Sequence, residues 1–415
     1  MQQHYDSLET RAPAEREARL MAALPAQVAH ARQATPAFAE LLEGVDAARV
    51  GSREALARLP VIRKGELLER QKAHRASDPF GGFSALVRGP AMPRIFASPG
   101  PIYEPDGSTR DYWRIGRAMF AAGFRSGDLV HNAFSYHMTP GAFMMESGAH
   151  AVGCTVFPAG VGQTEQQLQV IAELKPSAYS GTPSFLRILV EKAQEAGSDI
   201  SSLRKGMVGG EAFPPSLRDW FGERGMDVYQ SYATADLGLI AYETASRQGM
   251  VVDEGVIVEI VRPGTGEPVA PGEVGEVVVT TLNPAYPLIR FGTGDLSAVL
   301  PGEDPTGRTN MRIRGWLGRA DQTTKIRGMF VHPAQVADVA RRFPEVLKAR
   351  LVVSGEMAND VMTLKVEAAT APEGLAARIG EAVRDVTKLR ADVQVVDPGS
   401  LPNDGKVIED ARSYK

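Results

Sequence analysis

Short apolar runs alternate with longer stretches of helical spacing from Asp128 onward. DLVHNAF (128–134) predicts a strand, and GAFMMESGAHAVG (141–153) a helix of small residues. CTVFP (154–158) predicts a strand and EQQLQVIAELK (165–175) a helix. SAYSG (177–181) predicts the next strand, followed by PSFLRILVEKAQEAG (183–197), a helix with proline early and glycine at its end. KGMVGG (205–210), PPSLRDWFGERG (214–225) and DVYQSY (227–232) continue the strand–helix–strand rhythm. Alternation of this kind builds a parallel sheet covered by helices. After Met250 the texture changes: GVIVEIV (255–261) and GEVVVTTL (275–282) flank a turn-rich connector, as in an antiparallel meander or small barrel. From about Asp321, KIRG, HPAQVADVARRF, ARLVVSG, VMTLKVEA, LAARIGEAVRDVTKLR and DVQVVDP predict a compact βαββαβ unit. Residues 1 to about 75 read as helices rich in Ala, Glu, Arg and Leu. The expected fold is α/β. A large N-terminal domain, 1–319, has layered mixed or parallel sheets with helices and a small β-barrel-like segment at about 250–300. A small α+β C-terminal domain covers 320–415.

Composition narrows the function classes. A chain of 415 residues is too long for one core, which agrees with two domains. A net charge of −4 without a strong basic run argues against nucleic acid as a partner. The single cysteine, Cys154, excludes an intramolecular disulfide and any zinc site built from several thiolates. No apolar run approaches the ~20 residues of a membrane helix. The first residues, MQQHYDSLETRAPAEREARL, lack an apolar signal core, so a cytoplasmic protein is expected. Forty-two glycines and 28 prolines indicate many tight turns, as in a multi-loop α/β enzyme.

Several common chemical signatures are missing. No GxGxxG opens a helix after a strand, and neither GxSxG nor HExxH occurs. Residues 399–406, GSLPNDGK, have one residue too many for a Walker loop and no Ser/Thr after the lysine. His131, His137, His150 and Cys154 fall within 24 residues. Zinc is one reading of that cluster, and packing of a buried strand and a helix is the other.

A stronger constellation is spread along the chain: GGEAF (209–213), YQSYATAD (229–236), YPLIRFGTGD (286–295), GRADQTTKIRG (318–328) and LPNDGKV (401–407). In this order and spacing the segments resemble the adenylate-forming superfamily of acyl-CoA synthetases, specifically its phenylacetate–CoA ligase branch. The linking stretch 153–189 resembles that branch too, and the likeness spans roughly 55 to 410. It implies ATP-dependent formation of an acyl-adenylate from an aromatic or arylacetic acid, then transfer to CoA with release of AMP. ATP/AMP, Mg²⁺ and CoA are the implied cofactors, and a small carboxylic acid and CoA the implied partners. The resemblance also allows a homodimer, for which the sequence itself carries no signal.

The resemblance further implies residue roles. Gly209, Gly210, Glu211 and Ala212 would line the adenine pocket, and Tyr232 would stack on or flank the adenine. Asp295 would accept hydrogen bonds from the ribose hydroxyls, and Arg319 would support ribose or phosphate. Asp236 stands where the family usually has a glutamate that binds Mg²⁺. Lys406 would serve adenylation from a mobile C-terminal domain, with Asp321 at the hinge and Gly328 beside the pantetheine tunnel. Tyr136 and His137, in FSYHM, with Phe143 and Phe213, would face the acid; plain core packing is the alternative for these aromatics.

The chain also departs from the family pattern. The phosphate loop of relatives is rich in Ser, Thr and Gly, whose N–H groups and hydroxyls cradle phosphate. The matching stretch here, IFASPGPIYEPDGSTR (95–110), has Pro99 and Pro101, which lack an N–H, and adds Glu104 and Asp106. Ser98, Gly100, Ser108 and Thr109 are the remaining candidate phosphate contacts. Segment 303–316 has no cysteine, so the zinc knuckle of some relatives is not expected. Two alternatives to a CoA ligase follow: an adenylating enzyme that passes its acyl group to a carrier protein or amine, and a non-catalytic nucleotide-binding relative.

Overall fold

The computed structural model describes residues 3–317, 319–320, 324–327, 329–331, 333–355, 359–402 and 406–412. The chain divides into two compact units: Met1–Phe213 with Leu217–Gly318, and Pro214–Ser216 with Arg319–Lys415. None of the described helices is long and apolar enough to cross a membrane.

The larger unit is built on a nine-stranded sheet. Thr155–Pro158, Leu129–Asn132, Ala178–Gly181, Lys205–Val208 and the start of Asp227–Thr234 lie side by side in parallel. Helices Gly141–Val152, Thr164–Leu174, Pro183–Ala196 and Pro215–Gly222 make the crossovers between them. The sequence signals act locally as expected in Pro183–Ala196. Pro183 fills the first turn, where no N–H partner is lost, and the Thr182 hydroxyl accepts the Phe185 N–H at 3.3 Å. Gly197 ends the helix at φ 65°.

Strand Asp227–Thr234 changes the character of the sheet. Its first four residues pair in parallel with Lys205–Val208. From Ser231 on it pairs antiparallel with Gly238–Glu243, with a register shift between Tyr232 and Ala233. Such a bulge re-aims side chains locally, here at the segment that carries Tyr232 and leads to Asp236. The antiparallel part continues through Met250–Val252, Arg312–Ile313 and Val299–Leu300.

A second sheet forms from Val256–Val261, Gly275–Thr281 and Phe291–Ser297 as an antiparallel meander, joined in parallel at its edge by Ile62–Arg63. Helix Pro13–Ala34 turns Leu20, Leu24, Val28 and Ala31 into the same core as Val256, Val258, Val277 and Val279. That spacing is one apolar stripe of an α-helix.

Helices Ile115–Ala121 and Gly141–Val152 pack closely over the main sheet, in a core with Val130, Ala178 and Met207. Gly148 permits the approach: a Cβ there would lie 2.7 Å from Ile115 Cβ and 2.9 Å from the Gly116 nitrogen. Gly148→Val is therefore expected to destabilise the protein by about 1–3 kcal/mol, the usual cost of overpacking. Urea unfolding of the variant checks this, and an unchanged midpoint would contradict the packing described.

The smaller unit has its own core, which includes Ile326, Val331, Leu351, Leu364, Ile379 and Ile408. A hairpin, Thr324–Ile326 with Met329–Val331, is followed by a four-stranded sheet in the order Asp392–Val396, Val361–Ala368, Val346–Ser354, Ile408–Asp410. Helices Pro333–Arg341 and Leu375–Thr387 complete it, extending the βαββαβ pattern by a last, short parallel strand.

Candidate active site

Residues 209–212 follow the carboxyl end of the parallel strand Lys205–Val208, the end where open α/β sheets bind ligands, and Tyr232 lies just beyond the parallel part of the neighbouring strand. Gly209 and Gly210 directly follow Lys205–Val208. A Cβ at Gly209 would lie 3.2 Å from the Ser231 carbonyl oxygen, and Gly210 adopts φ 76°, so both positions suit glycine. Glu211 accepts a 2.5 Å hydrogen bond from Ser184 Oγ, and its carbonyl accepts one from Gln230 Nε2. Ala212 is half-buried beside it.

Asp295 is buried on strand Phe291–Ser297, and its carboxylate is held at both oxygens. Tyr232 Oη donates to Oδ2 at 2.8 Å, and Trp316 Nε1 donates to Oδ1 at 3.1 Å. Thr293 Oγ1 lies 3.1 Å from Tyr232 Oη and accepts the Asp295 N–H at 3.1 Å. Tyr232 and Asp295, 63 residues apart, thus form one hydrogen-bonded pair. The sequence reading missed Trp316; a lone indole after a turn-rich stretch carries no motif that would have identified it.

The stretch expected as a phosphate loop is a β-hairpin. Arg94–Ser98 pairs antiparallel with Ile102–Asp106, which leaves residues 99–101 as the turn. Ser98 and Gly100 therefore sit at the turn end, whereas Ser108 and Thr109 follow the other end of the second strand and are exposed. The hairpin does not bring these four candidates together. It buries Glu104 instead: Oε2 accepts the Ser98 N–H at 3.2 Å, while Oε1 has no hydrogen-bond partner. Burial, and next the negative charge of Asp236, hold the Glu104 proton well above the usual carboxylate range.

Asp236 lies in the same buried group. Its Oδ2 accepts a 2.8 Å hydrogen bond from Lys64 Nζ, and its Oδ1 has no partner. Lys64 opens helix Lys64–His74, and nothing in VIRKGELL distinguishes it from an ordinary surface lysine. Tyr286 Oη is also buried without a partner, and its pKa is raised by burial, then by Asp236 and Glu104. The sequence reading did not foresee this grouping, because its members come from four separate segments.

The aromatic candidates separate into two places. Tyr136 packs edge-on against Phe143 at 5.2 Å, and Phe143 meets Phe96 at 5.2 Å with the Arg94 guanidinium 4.7 Å from its centroid. Tyr136 Oη donates to Glu146 Oε2 at 2.7 Å and accepts from Asn132 Nδ2 at 2.8 Å. Burial, followed by Glu146, raises its pKa. His137 is exposed nearby in sequence. Phe213 is buried elsewhere, 6.2 Å from Phe221 and under the Arg218 guanidinium.

Two of the four residues in the histidine–cysteine cluster, His131 and Cys154, are buried in packing, while His137 and His150 are exposed. His131 stacks on Phe157 at 5.6 Å and shares a 2.8 Å hydrogen bond with Gln167, while Cys154 Sγ donates to the Arg125 carbonyl. No group of three or more potential metal ligands occurs among the described residues.

The remaining candidates belong to the smaller unit. Lys406 is exposed just before the edge strand Ile408–Asp410, and its carbonyl accepts a 3.1 Å hydrogen bond from Arg350 Nε. Arg319 is half-buried at the start of the unit. Asp321 and Gly328 lie outside the described residues.

Known proteins bear on this geometry. The AMP-binding enzyme profile matches residues 110–285, and the AMP-binding enzyme C-terminal domain profile matches 328–411. The phenylacetate–coenzyme A ligase of Thermus thermophilus is 33% identical over 358 residues, covering 82% of this chain and 78% of the relative. That of Escherichia coli is 31% identical over 358 residues, covering 80% and 81%. Among solved structures, a 2-hydroxyisobutyryl-CoA ligase bound to its acyl-adenylate and CoA superposes with a TM-score of 0.85 at 26% identity, over 100% of this chain and 93% of the other. The chain belongs to the AMP-binding enzyme family, in its phenylacetate–coenzyme A ligase branch.

Proposed function

We propose that the protein activates an aromatic or arylacetic acid with ATP and transfers the acyl group to CoA. The observation that carries this reading is the Tyr232–Asp295 pair, which links the two sheets of the larger unit, in a chain of this family. A carboxylate is a poor acyl donor because attack on it must expel oxide. One carboxylate oxygen attacks the α-phosphorus, pyrophosphate leaves, and an acyl-adenylate forms. The CoA thiol, losing its proton, then attacks the acyl carbon, and AMP departs with the P–O bond intact.

Asp295 retains lone pairs for the ribose hydroxyls while Tyr232 and Trp316 fix its orientation. The backbone of 209–212 lines the adenine side, and Arg319 supports ribose or phosphate. Asp236 fits Mg²⁺, since its buried Oδ1 is an unused hard oxygen donor. When bound, the ion supplies charge neutralisation at the phosphates. Tyr136, Phe143 and Phe96 offer an aromatic wall for the acid, with Arg94 adding positive charge; His137 and Phe213 complete the candidate lining.

ATP–pyrophosphate exchange across a panel of aryl and short-chain acids tests the reading, with CoA and carrier protein compared as acceptors. Exchange is expected with aryl acids, and CoA is expected as the acceptor. Asp295→Ala should weaken AMP binding at least about tenfold, since each hydrogen bond lost to a charged group costs roughly 1.5–3 kcal/mol. Unchanged AMP affinity, measured by calorimetry, would remove Asp295 from the ribose site. The proline-bearing hairpin turn favours one second reading, a nucleotide-binding relative without chemistry. AMP binding with no exchange above background across the panel would establish that reading instead.

A further inference from the structure

The larger unit ends in a segment that lies along the strand carrying Asp295. The Arg314 N–H donates to the Ala298 carbonyl at 2.9 Å, and the Leu317 N–H donates to the Leu296 carbonyl at 2.9 Å. Between them the Ser297 hydroxyl donates to the Gly315 carbonyl at 2.7 Å, and the Trp316 indole N–H donates to Asp295 Oδ1 at 3.1 Å. Each residue of 314–317 is thus tied to the stretch 295–298. This segment is also where the chain leaves the larger unit, which is bounded at Gly318.

Gly315 permits the arrangement. It is buried at φ 88°, in the left-handed region where a side chain would be strained, and the turn there directs Trp316 back to Asp295. The indole is not a core side chain. Trp316 is 36% exposed, whereas Asp295 is 8% exposed. What holds it is an N–H on a carboxylate, a charge-assisted hydrogen bond. The carboxylate read as the ribose acceptor therefore also anchors the exit segment. Whatever fixes that carboxylate for one partner fixes it for the other, and linkage makes the effect reciprocal.

We propose that Trp316 is a positioning residue of the ribose site, and that nucleotide binding and the docking of segment 314–317 form one coupled equilibrium through Asp295. The proposal rests on the reading that Asp295 holds the ribose. It deepens that reading: the docked segment tightens nucleotide binding, and nucleotide tightens the docking by the same factor.

The test combines calorimetry with AMP and hydrogen exchange of the full-length protein with and without saturating AMP. Trp316→Phe keeps an aromatic ring and removes the N–H. It should remain folded in thermal melts, since the residue borders solvent. It should bind AMP at least about fivefold more weakly, the lower end of ordinary coupling between sites. In wild type, AMP should slow exchange of the Arg314 and Leu317 amides. At saturating AMP the slowing should be smaller in Trp316→Phe, whereas general stabilisation by a bound ligand is common to both proteins. Equal AMP affinity in wild type and Trp316→Phe overturns the coupling. So does exchange at 314 and 317 that ignores AMP in wild type, a measurement that needs no variant. Asp295→Ala separates this outcome from the reading beneath it. Weaker AMP binding in Asp295→Ala but not in Trp316→Phe leaves the ribose site and removes the coupling. Unchanged binding in both variants removes the ribose site as well. AMP affinity that depends on Trp316, with no pyrophosphate exchange on any acid, removes the ligase and leaves the coupling.

Discussion

Lys406→Ala is expected to reduce adenylation by roughly 10²-fold or more, the usual scale for removing one group that stabilises transition-state charge. The variant should still make thioester from supplied acyl-adenylate and CoA. The effect is electrostatic. Adenylation brings two anions together, a carboxylate and the α-phosphate, and a flexible ammonium can offset both as a point charge. Thioester formation has no such encounter between anions at phosphorus. Lys406 is exposed, at the end of a segment fixed to its sheet through Arg350, so its truncation should leave the smaller unit folded. Separate assays of pyrophosphate exchange and of thioester formation decide the matter, and equal loss in both would remove Lys406 from the first step.

The sequence made the alternating strands and helices of 128–232 legible because each element is complete in itself. Thr182, Pro183 and Gly197 mark both ends of one helix without help from tertiary contacts. The same is true of the C-terminal βαββαβ pattern, whose apolar alternation belongs to a core of its own. Function was legible through spaced motifs, and Tyr232 and Asp295, matched separately, prove to be hydrogen-bonded partners. Long-range juxtaposition was not legible. Ser98 and Thr109 are close in sequence, but the hairpin puts them at opposite ends of a strand pair. Lys64 and Asp236 are 172 residues apart, and no local signal records their ion pair. Glu104 read as added negative charge on a loop, whereas strand pairing buries it. Trp316 became informative only once its indole was seen to reach Asp295.

The second large effect is expected at Arg290, inside the family-like segment YPLIRFGTGD, where the structure assigns a structural role. Its side chain is 2% exposed, and it donates to both oxygens of Glu259 and to the carbonyls of Ala57, Leu59 and Gly266. All five guanidinium N–H groups are thereby used. The fork ties segment 57–59 and strand Val256–Val261 to the base of Phe291–Ser297, the strand that carries Thr293 and Asp295. Arg290→Met should cost about 3–5 kcal/mol, because it leaves a buried carboxylate and several carbonyls without partners. Arg290→Lys should recover little, since an ammonium has three donors and no planar fork. Adding Glu259→Leu to Arg290→Met should return part of the loss by removing the stranded charge. Burial already raises the Glu259 pKa, and Arg290 opposes that rise. Without the arginine the folded-state pKa climbs further above the unfolded value, so the folded variant binds the proton more tightly than the unfolded chain. Its stability should therefore improve as pH falls from neutrality towards the unfolded carboxylate range, and be lost again as pH rises through the raised value. Urea unfolding of the single and double variants at neutral and mildly acidic pH measures this. A double variant no more stable than Arg290→Met, together with a deficit that ignores pH, would mean that the stranded carboxylate is not the cause of the loss.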